Sequence, residues 1–234
     1  ENDVKPEQVE DAAAATTSGP ASQVCIENSH NVSGGMAVLP EEGRALAEAA
    51  HDHLMRVHLD GARIFNAAIS LDIDVRELTR HVDSVMFCLS KGLSCPMGSI
   101  ICGGQEFIDE ARRWRKMVGG GMRQVGIVAA AGLVALETMV ERLAEDHANA
   151  RKLARGLSEI PGIDIDPDGL PTNLVFFEVE RDDREELARK LNERGIRGGG
   201  QRPQWRYVTH YGIASEDIDY ALDVIDSTFR ETTS

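Results

Sequence analysis

SVMFCLSKG, residues 84–92, reads as a buried β-strand over Ser84–Leu89 that ends on a serine, a lysine and a glycine. A continuous apolar run bounded by turn residues is the pattern of a strand covered on both faces of a sheet. Upstream, RVHLD (Arg56–Asp60) has the same character and also ends on a charge followed by glycine. Val24–Ile26 reads as an earlier strand and Met97–Cys102 as a fourth. Between them, Pro40–Met55 carries Leu46, Ala49, Ala50 and Leu54 at helical spacing behind an opening proline, and Val75–His81 reads as a short helix. Glu106–Met117 predicts a helix with a basic end, and Gly119–Gly121 a break. Alternating helices and apolar strands specify an α/β fold with a parallel or mostly parallel sheet. Ligands of such sheets bind beyond the carboxyl ends of the strands. Asp60 and Lys91 are therefore expected on one rim.

The pattern changes downstream. Gln124–Leu143 is almost wholly apolar and Ala-rich, which predicts a buried helix, and Glu141–Ile160 reads as an amphipathic one. Ile163–Ile165, Leu174–Val179 and Tyr207–Thr209 read as strands, Arg184–Arg194 and Glu216–Phe229 as helices. This is α+β organisation, expected to form a smaller second domain from about Ala144, so that the chain divides into 1–143 and 144–234. The first 23 residues are polar and rich in Ala, Thr and Ser, with one helical turn expected at Pro6–Ala14. ENSHNVSGG (27–35) is turn chemistry.

With 234 residues, 42% hydrophobic and 27% charged, the chain has the composition of a soluble globular protein. Its net charge of −14 argues against nucleic-acid binding through general electrostatics, even though RRWRK (112–116) is locally basic. No run is long and apolar enough for a membrane span, and no secretory signal pattern is present. The chain begins at Glu1, not Met, so the natural start is expected elsewhere. Cys25, Cys88, Cys95 and Cys102 form no C-x-x-C pair and predict buried free thiols in a reducing cytoplasm. His51 and His53 lie two apart on a predicted helix and diverge, which predicts a solvated face, not a metal site. His210 reads as a structural histidine at a strand end.

A lysine directly after a buried strand stands at a sheet rim, where partial desolvation favours a nucleophilic amine that forms an imine with an aldehyde. The bland alternative is a surface lysine in a turn. In HLDGAR (58–63), a carboxylate and an arginine three residues apart can address two parts of a polar ligand, or simply pair with each other. Together, Lys91 and Asp60 are what pyridoxal phosphate needs: an amine for its aldehyde carbon, and a carboxylate that keeps the pyridine nitrogen protonated. Arg63 suits a phenolic oxygen or a carboxylate.

At this point the chain resembles a known family. ENSHN (27–31), HLDGARIFNA (58–67), CLSKGLSCPMGS (88–99), RWRKMVGGGMRQ (113–124) and WRYVTH (205–210) look like the motifs of low-specificity threonine aldolases, in that family's order. The resemblance implies a fold-type-I pyridoxal-phosphate enzyme with the aspartate aminotransferase architecture. It implies Lys91 as the Schiff-base lysine, Asp60 as the pyridinium partner, and Arg63 beside the cofactor and the substrate carboxylate. Arg206 becomes a second carboxylate-binding arginine. Lys116 and Arg123, flanking the glycine loop, become cations that reach an active site, including that of a neighbouring subunit. Residues 1–143 become the C-terminal part of the cofactor-binding large domain and 144–234 the small domain.

The implied activity is aldol cleavage of threonine, allo-threonine and related β-hydroxy-α-amino acids to glycine and an aldehyde, by a cytoplasmic homodimer or homotetramer acting on a small amino acid. Family members carry a further stretch of about a domain's size before ENSHN, with a phosphate cup and a ring-stacking histidine. Neither is found here, and TTSGPASQ (16–23) stands where a substrate-side histidine is common. Strands from that stretch are expected to pair with Val24–Ile26 and Ser84–Leu89. Two alternatives follow: another pyridoxal-phosphate lyase, such as a β-eliminating one, or an inactive truncated relative serving as an oligomerisation module.

Overall fold

The structure, a computed structural model, describes residues 5–14 and 21–232. Most of TTSGPASQ (16–23) thus lies outside the described residues. The chain divides into two compact units, Glu1–Ser33 with Ala37–Glu141, and Gly34–Met36 with Arg142–Ser234.

The first unit runs α1 (Pro6–Ala14), β1 (Gln23–Glu27), α2 (Pro40–Asp52), β2 (Arg56–Asp60), α3 (Ile64–Leu71), α4 (Val75–Thr79), β3 (Ser84–Cys88), β4 (Ser99–Gly103), α5 (Gln105–Met117) and α6 (Gly126–Thr138). Its sheet has the order β1-β2-β3-β4. The first three strands are parallel, with Glu27 opposite Asp60 and Asp60 opposite Met86. β4 returns antiparallel to β3 because the Leu89–Gly98 link is too short for a helical crossover. β3 is therefore paired on both edges, against the expectation that it lacks a neighbour, whereas β1 and β4 are the sheet's edges.

Pro40 opens α2, and Glu42 accepts the Leu39 N–H at 2.8 Å, which satisfies one donor at the helix start. α2 and α3 press Leu46, Ala47, Ala50, Ile64 and Ala67 onto Val57 and Leu59 of β2. α3 went unread in the sequence, although Ile64, Ala67, Ala68 and Leu71 have helical spacing.

α6 corrects a second expectation. Ile127, Leu133 and Val134 are 82%, 63% and 59% exposed, and among α6 residues Gly132 and Ala135 are the buried ones. Hydropathy reports what a side chain prefers, not whether this chain supplies a cover for it. Met117, Val118, Met122 and Val125, which precede α6 in the chain, are exposed as well. Such a surface favours association. The chain is expected to sediment as oligomers or aggregates at micromolar concentration, and Ile127→Glu with Leu133→Lys to shift it toward smaller species. A monodisperse monomer across the whole concentration range would contradict this.

The second unit runs α7 (Leu143–Ser158), β5 (Ile163–Asp164), β6 (Leu174–Val179), α8 (Arg184–Glu193), β7 (Gln204–Val208) and α9 (Ser215–Glu231). Its antiparallel sheet has the order β5-β6-β7, and β7 begins earlier than the expected Tyr207. The helices bury Leu153, Leu157, Leu187, Leu191 and Ile225 against it. Each fully buried leucine contributes roughly 1.5–3 kcal/mol.

The cysteines are free, as expected, but only Cys95 is buried; Cys88 is half-buried, and Cys25 and Cys102 are exposed. Both outer cysteines lie on edge strands, which explains their exposure.

His51 is tied down, not simply solvated. Its Nε2 lies 2.9 Å from Asp83, which also accepts from Arg56 at 2.9 Å and from the Val57 N–H at 2.8 Å. No group of His, Cys, Asp and Glu suited to a metal ion occurs among the described residues. Burial opposes the charge on Asp83, but hydrogen bonds from His51, Val57 and Arg56 outweigh it and hold the carboxyl at about 2, below its ordinary 3.8. A depressed carboxyl contributes stability above its unfolded value and loses it as pH falls toward the folded one. Asp83→Asn is expected to lower Tm at neutral pH and to flatten the loss of Tm between pH 3.8 and about 2. An unchanged acid profile would contradict the staple.

Candidate active site

The carboxyl rim of the first sheet is where the sequence-predicted residues of the first unit converge. Asp60 is the last residue of β2 and is half-buried. Its Oδ1 accepts the Ala62 N–H at 3.0 Å, a local turn that keeps the carboxylate at the strand end. Its other oxygen has no protein partner among the described residues. Arg63 precedes α3 and is half-buried. Gly61 is required between them: a Cβ there would lie 2.8 Å from the Met86 carbonyl.

Lys91 follows β3 on the same rim, because β2 and β3 run parallel. Its loop is anchored from both sides. Leu89 and Leu93 are buried, with Cys95, against Ala135. The Leu89 N–H donates to Gly98 O at 3.0 Å and the Cys95 N–H to Leu89 O at 3.0 Å. Gly98 takes a φ of 108°, which L side chains rarely adopt. Lys91 itself is exposed, so this chain alone does not supply the desolvation expected at a strand end.

ENSHN continues β1 onto the rim. Asn28 and Ser29 are buried, and Ser29 Oγ has no hydrogen-bond partner among the described residues. His30 is half-buried, with Nδ1 2.7 Å from Ser33 Oγ and Nε2 3.5 Å from Glu27. Sequence reasoning took this segment as a turn and did not single out Asn28 or Ser29, since nothing in residue type signals their burial.

The remaining cations are not brought to this rim by any strand end. Lys116 lies in the last turn of α5 and Arg123 beyond the glycine break, both exposed. Gly121 gives Lys116 room: a Cβ there would lie 2.6 Å from its Cδ. Arg206 belongs to the second unit, on β7 opposite Phe176, with its guanidinium 5.9 Å from that ring's centre. His210 is exposed just past β7, its Nδ1 2.8 Å from Tyr211 O.

The residues present suit pyridoxal phosphate. Asp60 offers a fixed, half-buried carboxylate with one oxygen open to a ring N–H, and Lys91 offers a primary amine on the adjacent strand's end.

The sequence profile of the family described as beta-eliminating lyase matches residues 1–180. The chain belongs to the beta-eliminating lyase family. Among similar lyases, low-specificity L-threonine aldolase 1 of Arabidopsis thaliana is 42% identical over 205 residues, covering 85% of this chain and 57% of the relative. Low specificity L-threonine aldolase of Escherichia coli (strain K12) is 41% identical over 194 residues, covering 82% and 56%. The chain thus spans little more than half the length of those relatives. A putative L-allo-threonine aldolase structure from Listeria monocytogenes superposes with a TM-score of 0.77 at 19% identity, over 98% of this chain and 65% of that one. A threonine aldolase structure from Leishmania major gives 0.77 at 17%, over 97% and 67%. These likenesses establish the fold as that of the fold-type-I enzymes, as expected.

Proposed function

We propose that this chain carries the lysine-bearing part of a pyridoxal-phosphate carbon–carbon lyase that cleaves threonine, allo-threonine and related β-hydroxy-α-amino acids to glycine and an aldehyde. The observation that carries the reading is the presence of Asp60 and Lys91 at the carboxyl ends of adjacent parallel strands. The identity to low-specificity threonine aldolases supports the substrate class.

When bound, pyridoxal phosphate supplies an aldehyde carbon for amines and a ring that draws electrons from the substrate's Cα. Lys91 would hold the group through its primary amine, Nζ, at the end of β3. Asp60 would hold a proton at the ring nitrogen, with the Ala62 N–H keeping the carboxylate in place. Arg63 and Arg206 would bind carboxylate or phenolic oxygens through their guanidinium N–H donors. Lys116 and Arg123 supply charge to the anionic cofactor. Residues 1–143 act as the C-terminal part of the cofactor-binding domain and 144–234 as the small domain. The exposed apolar surface of α6 supports work as a homodimer or homotetramer, and the four free cysteines support a cytoplasmic location.

The test adds pyridoxal phosphate to the chain and threonine to the mixture. A visible absorbance band with release of acetaldehyde and glycine is expected. The family description favours one second reading, β-elimination, which releases ammonia and a 2-oxo acid instead. That product pair would replace the first reading with the second.

A further inference from the structure

Asn28 belongs to none of the roles above, yet it meets the Asp60 end of the sheet directly. It is 3% exposed, and its backbone N–H donates to Asp60 O at 2.9 Å. The next N–H along, that of Gly61, donates to Met86 O at 2.8 Å. Asp60 O and Gly61 N–H are the two ends of one peptide group. That single plane is therefore held from both neighbouring strands at the point where the Asp60 side chain leaves the sheet.

The Asn28 side chain fixes its own backbone in turn. Nδ2 donates to Val38 O at 3.0 Å and Oδ1 accepts the Val38 N–H at 3.1 Å, closing the loop between them with a two-point clamp. A primary amide can both donate and accept in this way, and the Asn28 amide does so here. Removing it would leave both Val38 backbone groups without their partner.

We infer that Asn28 is a positioning residue for the Asp60 carboxylate, clamping the β1 exit to Val38 so that the Asp60–Gly61 peptide stays pinned and the Asp60–Ala62 turn stays closed. The inference rests on the proposed role of Asp60 for its catalytic consequence, but its structural half does not.

Two readouts test it. In the cofactor-free chain, amide hydrogen exchange at Ala62 reports whether the Asp60 carboxylate is held. Asn28→Ala is expected to speed exchange at Gly61 and Ala62 by about tenfold, with Val175 and Phe177 in the second unit unchanged. If Asn28→Ala does not fold, Asn28→Asp, which keeps the acceptor and loses the donor, carries the same comparison. With pyridoxal phosphate and threonine, Asn28→Ala is expected to lower kcat by about tenfold to a hundredfold with KM unchanged. It should add nothing further in an Asp60→Asn background.

Exchange that rises uniformly across the chain, or not at all at Ala62, would overturn the inference. So would a loss of kcat that adds fully to that of Asp60→Asn. Failure of the unaltered chain to bind pyridoxal phosphate would sink the proposed function instead, and the exchange result would still decide the role of Asn28.

Discussion

Lys91→Ala is expected to lower the proposed aldehyde release from threonine by about a thousandfold or more while leaving the fold intact. The side chain is exposed, so its removal opens no cavity and leaves no buried group unpaired. Its loop is held by Leu89, Leu93 and Cys95 and by backbone hydrogen bonds that do not involve the ammonium. Surface changes of this kind shift stability by about 0.5 kcal/mol or less. The chemistry has no such substitute, because a methyl group cannot bond an aldehyde carbon. The measurement pairs acetaldehyde release with thermal melting. Unaltered release in the variant would remove Lys91 from the mechanism, whereas a large drop in Tm would mean that the lysine supports its loop.

Asp60→Asn is expected to lower the proposed turnover by about a hundredfold to a thousandfold, with little effect on folding. The substitution is close to isosteric, and an asparagine Oδ1 still accepts the Ala62 N–H now held by Asp60. What changes is the open oxygen. A carboxylate stabilises a proton on a ring nitrogen, whereas a neutral amide does so far less, and the electron pair left at Cα then has no charged ring to enter. Turnover measured beside Tm separates the two effects. Equal turnover would refute the assignment, and a matching collapse in Tm would make Asp60 a structural residue.

The parts of this fold that were legible in the sequence are those where one residue's neighbours decide its state. RVHLD matches β2 at both ends because an apolar core is closed by Asp-Gly, where the chain must turn. Leu174–Val179 also matches β6, an apolar run closed by the charged Glu180–Asp183. Asp60 and Lys91 on one rim follow from parallel pairing alone. The misread parts depend on distant chain. α6 is apolar enough to be buried, but burial needs a cover that composition does not reveal. Cys25 and Cys102 sit in apolar sequence, yet lie on the two edge strands. Asn28 looked like turn residue chemistry because its partners, Val38 and Asp60, are far along the chain. A hydrogen bond over that separation leaves no periodic trace.

One amine decides the proposed chemistry. Incubating the chain with pyridoxal phosphate, reducing with borohydride and mapping the digest by mass spectrometry traps the cofactor on whichever lysine it has bonded. The modified peptide is expected to contain Lys91, with Lys5, Lys116, Lys152 and Lys190 unmodified. Label on one of those four in place of Lys91, or no label at all, would contradict it.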